Sequence, residues 1–146
     1  MKSVYMAGSI AGKMYDECVE WREELRRNLH PFYFTILSPM RNKEFLKGKK
    51  CGHCHDEHLM ARVDVIIARD MHDVRTCDVF VMNIDPEDPV SVGSCVEYGL
   101  ALANPNIIKV VICDSPASIH PFIMNTSDVV AGTVGEAAEF INSLRP

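Results

Sequence analysis

The sequence predicts an α/β fold: one domain over residues 1–146, built on a five-stranded parallel sheet of order 2-1-3-4-5 with helices on both faces. Three observations predict it. Apolar runs of strand length alternate with segments of helical period from end to end, as in parallel strands joined by crossover helices. The chain has 146 residues and is 47% hydrophobic, which suits one domain with a layered core. Right-handed crossovers leave few topologies, and the doubly wound, flavodoxin/Rossmann-like one opens a crevice between strands one and three.

Ser3-Val4-Tyr5-Met6-Ala7 reads as the first strand, closed by Gly8-Ser9-Ile10-Ala11-Gly12-Lys13. Glycines and a serine between a strand and a helix can present backbone N–H groups to an anion, although any tight turn of this kind uses glycine. Met14, Cys18, Trp21, Leu25 and Leu29 then recur at helical spacing, and Arg22, Arg26 and Arg27 read as a solvated face off that stripe. Phe32 to Leu37 is the second strand, closed by Ser38-Pro39. From Met40 to Glu57 the chain is basic and irregular, with Lys43, Lys47, Lys49 and Lys50; a connection this long is usually functional or mobile. It holds Cys51-Gly52-His53-Cys54-His55 and then His58. Cys-x-x-Cys beside histidines is compatible with zinc, but a second ligand pair at normal spacing is missing. The expectation is a polar flap over the site, with no metal in the chemistry. The same string matches a haem-attachment motif, which would require export.

Leu59 to Arg75 reads as a helix broken in the middle, because Asp64 and Asp70 interrupt the pattern of Val63, Val65, Ile66, Ile67 and Val74. Val79 to Ile84 is the third strand. A loop with Asp85, Pro86, Asp88 and Pro89 leads to Ser91 and a helix running to Ala103, in which Glu97 is the only charge from Gly93 onward. That helix is small or apolar nearly all round, so burial is expected. A carboxylate there is expensive unless paired or used. Capping or dipole compensation is the plain alternative. Ile107 to Ile112 is the fourth strand, Ser115 to Asn125 a loop or short helix, and Ser127 to Ala131 the fifth strand. Thr133 to Leu144 is the last helix, with Thr133 as N-cap.

Composition excludes other classes. A net charge of −5 argues against a general nucleic-acid binder. No apolar run is long enough to span a bilayer. The N-terminus enters a strand pattern without a signal-peptide layout, so a cytoplasmic protein is expected. Its six cysteines then read as thiols, with Cys18, Cys77, Cys95 and Cys113 as small core residues.

The predicted crevice gathers Tyr5, Gly8, Ser9, Asp70, Ser91, Gly93 and Glu97. Two carboxylates and a tyrosine beside a glycine-serine loop suit glycosidic chemistry: one carboxylate attacks an anomeric carbon and a second acid protonates the leaving group. At these residues the chain resembles the nucleoside 2-deoxyribosyltransferase family, over nearly its whole length. Val4-Tyr5-Met6-Ala7-Gly8-Ser9-Ile10 is similar to the family's opening strand and loop, and Arg69-Asp70-Met71 to the motif with its Asp. Cys77-Asp78-Val79-Phe80-Val81 resembles its third strand, and Val92 to Ala101 its nucleophile helix. The resemblance implies that Glu97 is the nucleophile, that Tyr5 orients it and that Asp70 assists at the base or sugar. It implies a small-molecule nucleoside or nucleotide substrate and no cofactor. It also implies a homodimer or larger assembly, in which Ser118 and His120 reach a neighbour's site.

Ser91 stands six residues before Glu97, where transferases acting on free nucleosides commonly carry Asp. Serine there, like the string Gly8-Ser9-Ile10, resembles the branch that hydrolyses nucleoside 5′-monophosphates. A phosphate dianion is repelled by Asp but accepts a hydrogen bond from serine. Simple helix capping is the alternative role for Ser91. Those hydrolases often carry an arginine after the Gly-Ser-Ile string; here it is Ala11, with Lys13, or a basic residue of the 40–50 loop such as Arg41, as the substitute. The expected function is an N-glycosidase acting on a nucleoside 5′-monophosphate, of the 2′-deoxy series, through a covalent glycosyl–Glu97 intermediate. A transferase exchanging bases on free deoxynucleosides is the alternative. A nucleotide-binding sensor is the third reading, opposed by the joint presence of Tyr5, Asp70 and Glu97.

Overall fold

The structure is a computed structural model describing residues 1–52 and 58–145. Its sheet runs β2 (Phe34–Leu37), β1 (Lys2–Gly8), β3 (Val79–Asn83), β4 (Ile108–Ile112) and β5 (Val129–Ala131), all neighbours parallel. The predicted order 2-1-3-4-5 is the observed one. Side-chain alternation explains the two layers of core. Val4 and Met6 of β1, with Val79 and Val81 of β3, face α1 (Tyr15–Asn28) and α5 (Val134–Ser143). Tyr5 and Ala7, with Phe80 and Met82, face α2 (Val63–Thr76), α3 (Val92–Leu102) and α4 (Pro121–Thr126). The large side chains on both faces of β1 and β3 are buried, and each contributes about 1.5–3 kcal/mol relative to exposure. Thr133 caps α5 as expected, accepting from the Glu136 N–H at 3.1 Å.

Several boundaries differ from the sequence expectation. β2 begins at Phe34, not Phe32: the Tyr33 and Phe34 N–H groups bond back to the His30 carbonyl in a turn, and Phe32 is exposed. β5 begins at Val129, because the Ser127 N–H is spent on the Ile123 carbonyl at the end of α4. The break before α2 lies at Arg62, extended after a 3₁₀ turn over Leu59–Ala61, and not in the helix middle.

The larger correction concerns α3. Only Ser94, Tyr98 and Ala101 of this helix are buried, while Val92, Cys95, Val96, Gly99 and Leu102 are exposed. The sheet covers one face, and among the described residues nothing covers the other. Cys95 is accordingly not a core thiol.

The basic connection after β2 is a packed wall over its described length. Met40, Leu46 and Cys51 join Tyr15 and Cys18 in a third apolar cluster. Reciprocal backbone bonds, Gly12 N–H to Cys51 at 2.8 Å and Cys51 N–H to Lys13 at 2.7 Å, tie this wall to the β1–α1 loop. The zinc reading involves His53, Cys54 and His55, which lie outside the described residues. Among the described residues no helix is long and apolar enough to cross a membrane.

Candidate active site

A cleft of about 710 Å³ opens at the C-terminal ends of β1 and β3, where the strand order reverses. Gly8, Ser9, Ile10, Asp70, Ser91, Gly93 and Glu97 all line it, so most of the predicted site residues come together. Gly8 ends β1 beside Asn83, where a Cβ would lie 3.1 Å from the Trp21 ring and 3.4 Å from an Arg22 nitrogen. A side chain there would press on the Trp21 ring, which glycine avoids.

Tyr5 lies beneath the cleft floor, fully buried and stacked on Phe80. Its hydroxyl donates to Glu97 Oε1 at 2.7 Å. Burial pushes the phenol far above its usual range, so it remains a donor. Glu97 reaches the cleft from the second turn of α3. Desolvation pushes its carboxyl up to about 7; the Tyr5 hydrogen bond lowers it, Asp70 raises it, and Arg22 and Lys43 lower it. Such a group is about half ionised at neutral pH and poorly solvated, and its ionised form suits a nucleophile.

Asp70 sits on α2 across the cleft. Arg69 donates to its Oδ1 from Nε at 3.1 Å and anchors itself on the Pro39 carbonyl at 2.6 Å. Burial raises the Asp70 carboxyl and Arg69 opposes it. A carboxyl held up by desolvation can exchange protons with a leaving group or a water.

Ser91 is the N-cap of α3, accepting from the Ser94 N–H at 3.4 Å. It therefore caps the helix and also lines the cleft, and capping as an acceptor leaves its hydroxyl proton for a ligand. With Ser9, the buried Ser94 and the opening N–H groups of α3, it makes an end of the cleft suited to an anion. Of the basic substitutes expected, the two named are not free there. Lys13 pairs with Asp88 and, at 3.9 Å, with Asp85. Arg41 pairs with Asp73 at 2.6 Å.

Ser118 and His120 do not line this cleft. Ser118 closes an exposed 3₁₀ turn by donating to the Ser115 carbonyl at 2.7 Å, and His120 caps α4 through Nδ1.

Three residues near the site escaped the sequence reading. Arg22, expected in solvent, is 1% exposed. Its guanidinium donates to the carbonyls of Met6 and Gly8, each at 3.2 Å, and of Cys18. Burial lowers its pKa to about 10, which leaves it charged at neutral pH beneath the glycine turn. The signal was present: Cys18, Arg22, Leu25 and Leu29 follow a four-three-four spacing, which puts Arg22 on the buried stripe. Ser94 and Lys43 carried no comparable signal. Arg22→Met should lower stability by about 2–4 kcal/mol in urea titration, because it strands buried carbonyls. An unchanged midpoint would mean that the guanidinium is solvated.

The sequence profile of the family described as Nucleoside 2-deoxyribosyltransferase matches residues 4–140. No curated protein sequence matches the chain. Among solved structures, the chain is similar to the Clostridium botulinum CMP N-glycosidase BcmB, with TM-score 0.58 and 18% identity over 97% of this chain and 99% of that one. A conserved protein from Enterococcus faecalis V583 superposes with TM-score 0.68 at 16% identity, covering 98% of each chain. At these identities the likeness concerns the fold.

Proposed function

Because the chain belongs to the nucleoside 2-deoxyribosyltransferase family, we propose that it is an N-glycosidase that hydrolyses the base–sugar bond of a nucleoside 5′-monophosphate of the 2′-deoxy series. The observation that carries the reading is the Tyr5–Glu97 hydrogen bond of 2.7 Å at the floor of a cleft that also holds Asp70. A Glu97 oxygen attacks C1′ as the C1′–N bond breaks and its electron pair passes to the base. Asp70 gives the departing base a proton when it carries one. A water then attacks C1′ of the glycosyl–Glu97 ester, passes its proton to Asp70 and restores the Glu97 carboxylate. Tyr5 fixes the attacking oxygen throughout. Ser9, Ser91 and the α3 N-terminus hold the 5′-phosphate. Hydrolysis is favoured over transfer by Ser91, which leaves this end without a carboxylate at that position.

A 5′-monophosphate whose sugar carries a 2′-fluorine should slow both steps and let the ester accumulate. Peptide mass mapping of the quenched mixture should place the sugar phosphate on Glu97. Base release from this substrate with the label on another residue, or with none on any peptide, would remove Glu97 from the role.

The pH profile gives a second test. Since Glu97 titrates near 7 and acts ionised, kcat/KM should fall as pH drops through that value. Tyr5→Phe removes a hydrogen bond that lowers the Glu97 pKa, so the acidic limb should move to higher pH and kcat should fall roughly tenfold or more. A limb that stays in place would assign it to another group.

The same reading makes the protein a homodimer or larger assembly. Val92 and Val96 of α3 are exposed, as are Phe122 and Met124 of α4, a helix that meets α3 through the Tyr98 hydroxyl. Ser118 and His120 border α4 in sequence, and in this proposal they complete a neighbour's site. Light scattering of the active protein should return at least twice the chain mass. A fully active monomer would exclude this arrangement.

A further inference from the structure

The cations around the cleft are nearly all committed. Lys13 is tied to Asp88, Arg69 to Asp70 and Arg22 to carbonyls. Lys43 differs. It lines the cleft, is 5% exposed, and its ammonium has no hydrogen bond or ion pair among the described residues. Its backbone is fixed on both sides. Asn42 before it adopts the left-handed region at φ 61°, a conformation asparagine tolerates, and the Lys43 carbonyl accepts from the Leu46 N–H at 2.9 Å. A buried ammonium with no protein partner costs stability unless a ligand meets it. Burial lowers its pKa, and Asp70 is the largest opposing influence. Geometry places Lys43 on the Asp70 side of the cleft: Arg69, which donates to Asp70, also donates to the carbonyls of Pro39 and Arg41, so the segment leading to Lys43 is tied to that side.

If the serine end takes the phosphate, the Asp70 side takes the base. We propose that Lys43 is the cation of the base subsite: its ammonium donates to a ring carbonyl oxygen of the leaving base and holds the negative charge that reaches that oxygen as the C1′–N bond breaks. The inference rests on the N-glycosidase reading. It names the substrate class as 5′-monophosphates of oxo bases, meaning pyrimidines with a 2-carbonyl or 6-oxopurines, in preference to adenine. The electron pair of the C1′–N bond delocalises onto the carbonyl oxygen. Lys43 keeps its protons, and the base anion is later protonated at nitrogen by Asp70 or water. The neutral form of adenine offers no carbonyl, so it leaves the ammonium unmatched.

The test compares wild type, Lys43→Met and Lys43→Arg on the 2′-deoxy 5′-monophosphates of uracil, 5-fluorouracil and adenine, and on deoxyuridine. A charge-assisted hydrogen bond corresponds to roughly a ten- to hundredfold effect. Lys43→Met should lose about that much kcat/KM on the uracil substrate, less on 5-fluorouracil, whose anion needs less help, and little on adenine. Lys43→Arg should recover part of the loss, and ligand-free Lys43→Met should melt no lower than wild type, because it removes a buried, unpartnered charge. An equal loss on every base, or no loss, would overturn the proposal. A loss found with the monophosphate and absent with deoxyuridine would move Lys43 to the phosphate and overturn it as well. Calorimetry with free uracil and free adenine separates the two levels of inference. If the wild type releases no base from any substrate, the glycosidase reading fails. Selective uracil binding that disappears in Lys43→Met would still support the subsite, and equal binding of the two bases would end it.

Discussion

Glu97→Gln should lower turnover by about four orders of magnitude or more and, at pH 8, raise the melting temperature by several degrees. The two effects have one cause. Glu97 is a carboxylate drawn out of water so that it can attack, and its pKa rises from 4.5 to about 7. The folded state therefore binds a proton more tightly than the unfolded chain. Between those pH values the folded protein holds more protons, so stability falls as pH rises. Above about 7 the folded state carries the full cost of the buried charge, on the order of 3 kcal/mol. Glutamine keeps an acceptor for the Tyr5 hydroxyl and removes the charge. The gain in melting temperature should thus be present at pH 8 and gone near pH 4, read by thermal unfolding at both values. A variant with near-normal turnover, or one equally stabilised at both pH values, would separate Glu97 from the chemistry.

The second large effect concerns the phosphate. Two or three charge-assisted hydrogen bonds from Ser9, Ser91 and the α3 N–H groups, each about 1.5–3 kcal/mol, should favour a 5′-monophosphate over its nucleoside by roughly a hundredfold or more. Ser91→Asp is a sharp probe because aspartate is also a good N-cap. The bond to the Ser94 N–H survives, so helix stability should change little. The added carboxylate faces the phosphate dianion, and the monophosphate should lose far more kcat/KM than the nucleoside, inverting the ratio. A wild-type ratio near one, unmoved by the substitution, would reduce Ser91 to a cap and favour base exchange on free nucleosides.

The strands were legible because β1, β3 and β4 carry the apolar runs 4–7, 79–82 and 110–112, as strands buried on both faces do. Glu97 was legible as the lone charge on a helix that is otherwise small and apolar. The same helix misled on burial. Its outer face is as apolar as its inner one, and a single sequence does not distinguish a core face from an unpartnered one. Arg22 shows a different failure. Residue type suggested solvent while spacing pointed inward, and the spacing was right because three carbonyls at the end of β1 and in α1 needed a donor. Lys43 lies in an irregular segment with no period to read. Its burial depends on Met40, Leu46 and Cys51 packing against α1, which is a tertiary event. Ser118 and His120 were placed by resemblance alone, and in one chain they lie away from the cleft.

The most direct test of the central claim is base release. The protein should be incubated with a panel of nucleosides and their 5′-monophosphates, with and without an added acceptor base, and free base followed by chromatography. The account predicts that at least one 2′-deoxynucleoside 5′-monophosphate yields free base and sugar phosphate with no acceptor present, while the matching nucleoside yields little. Base exchange on free nucleosides that requires the acceptor, with no release from any monophosphate, would contradict it.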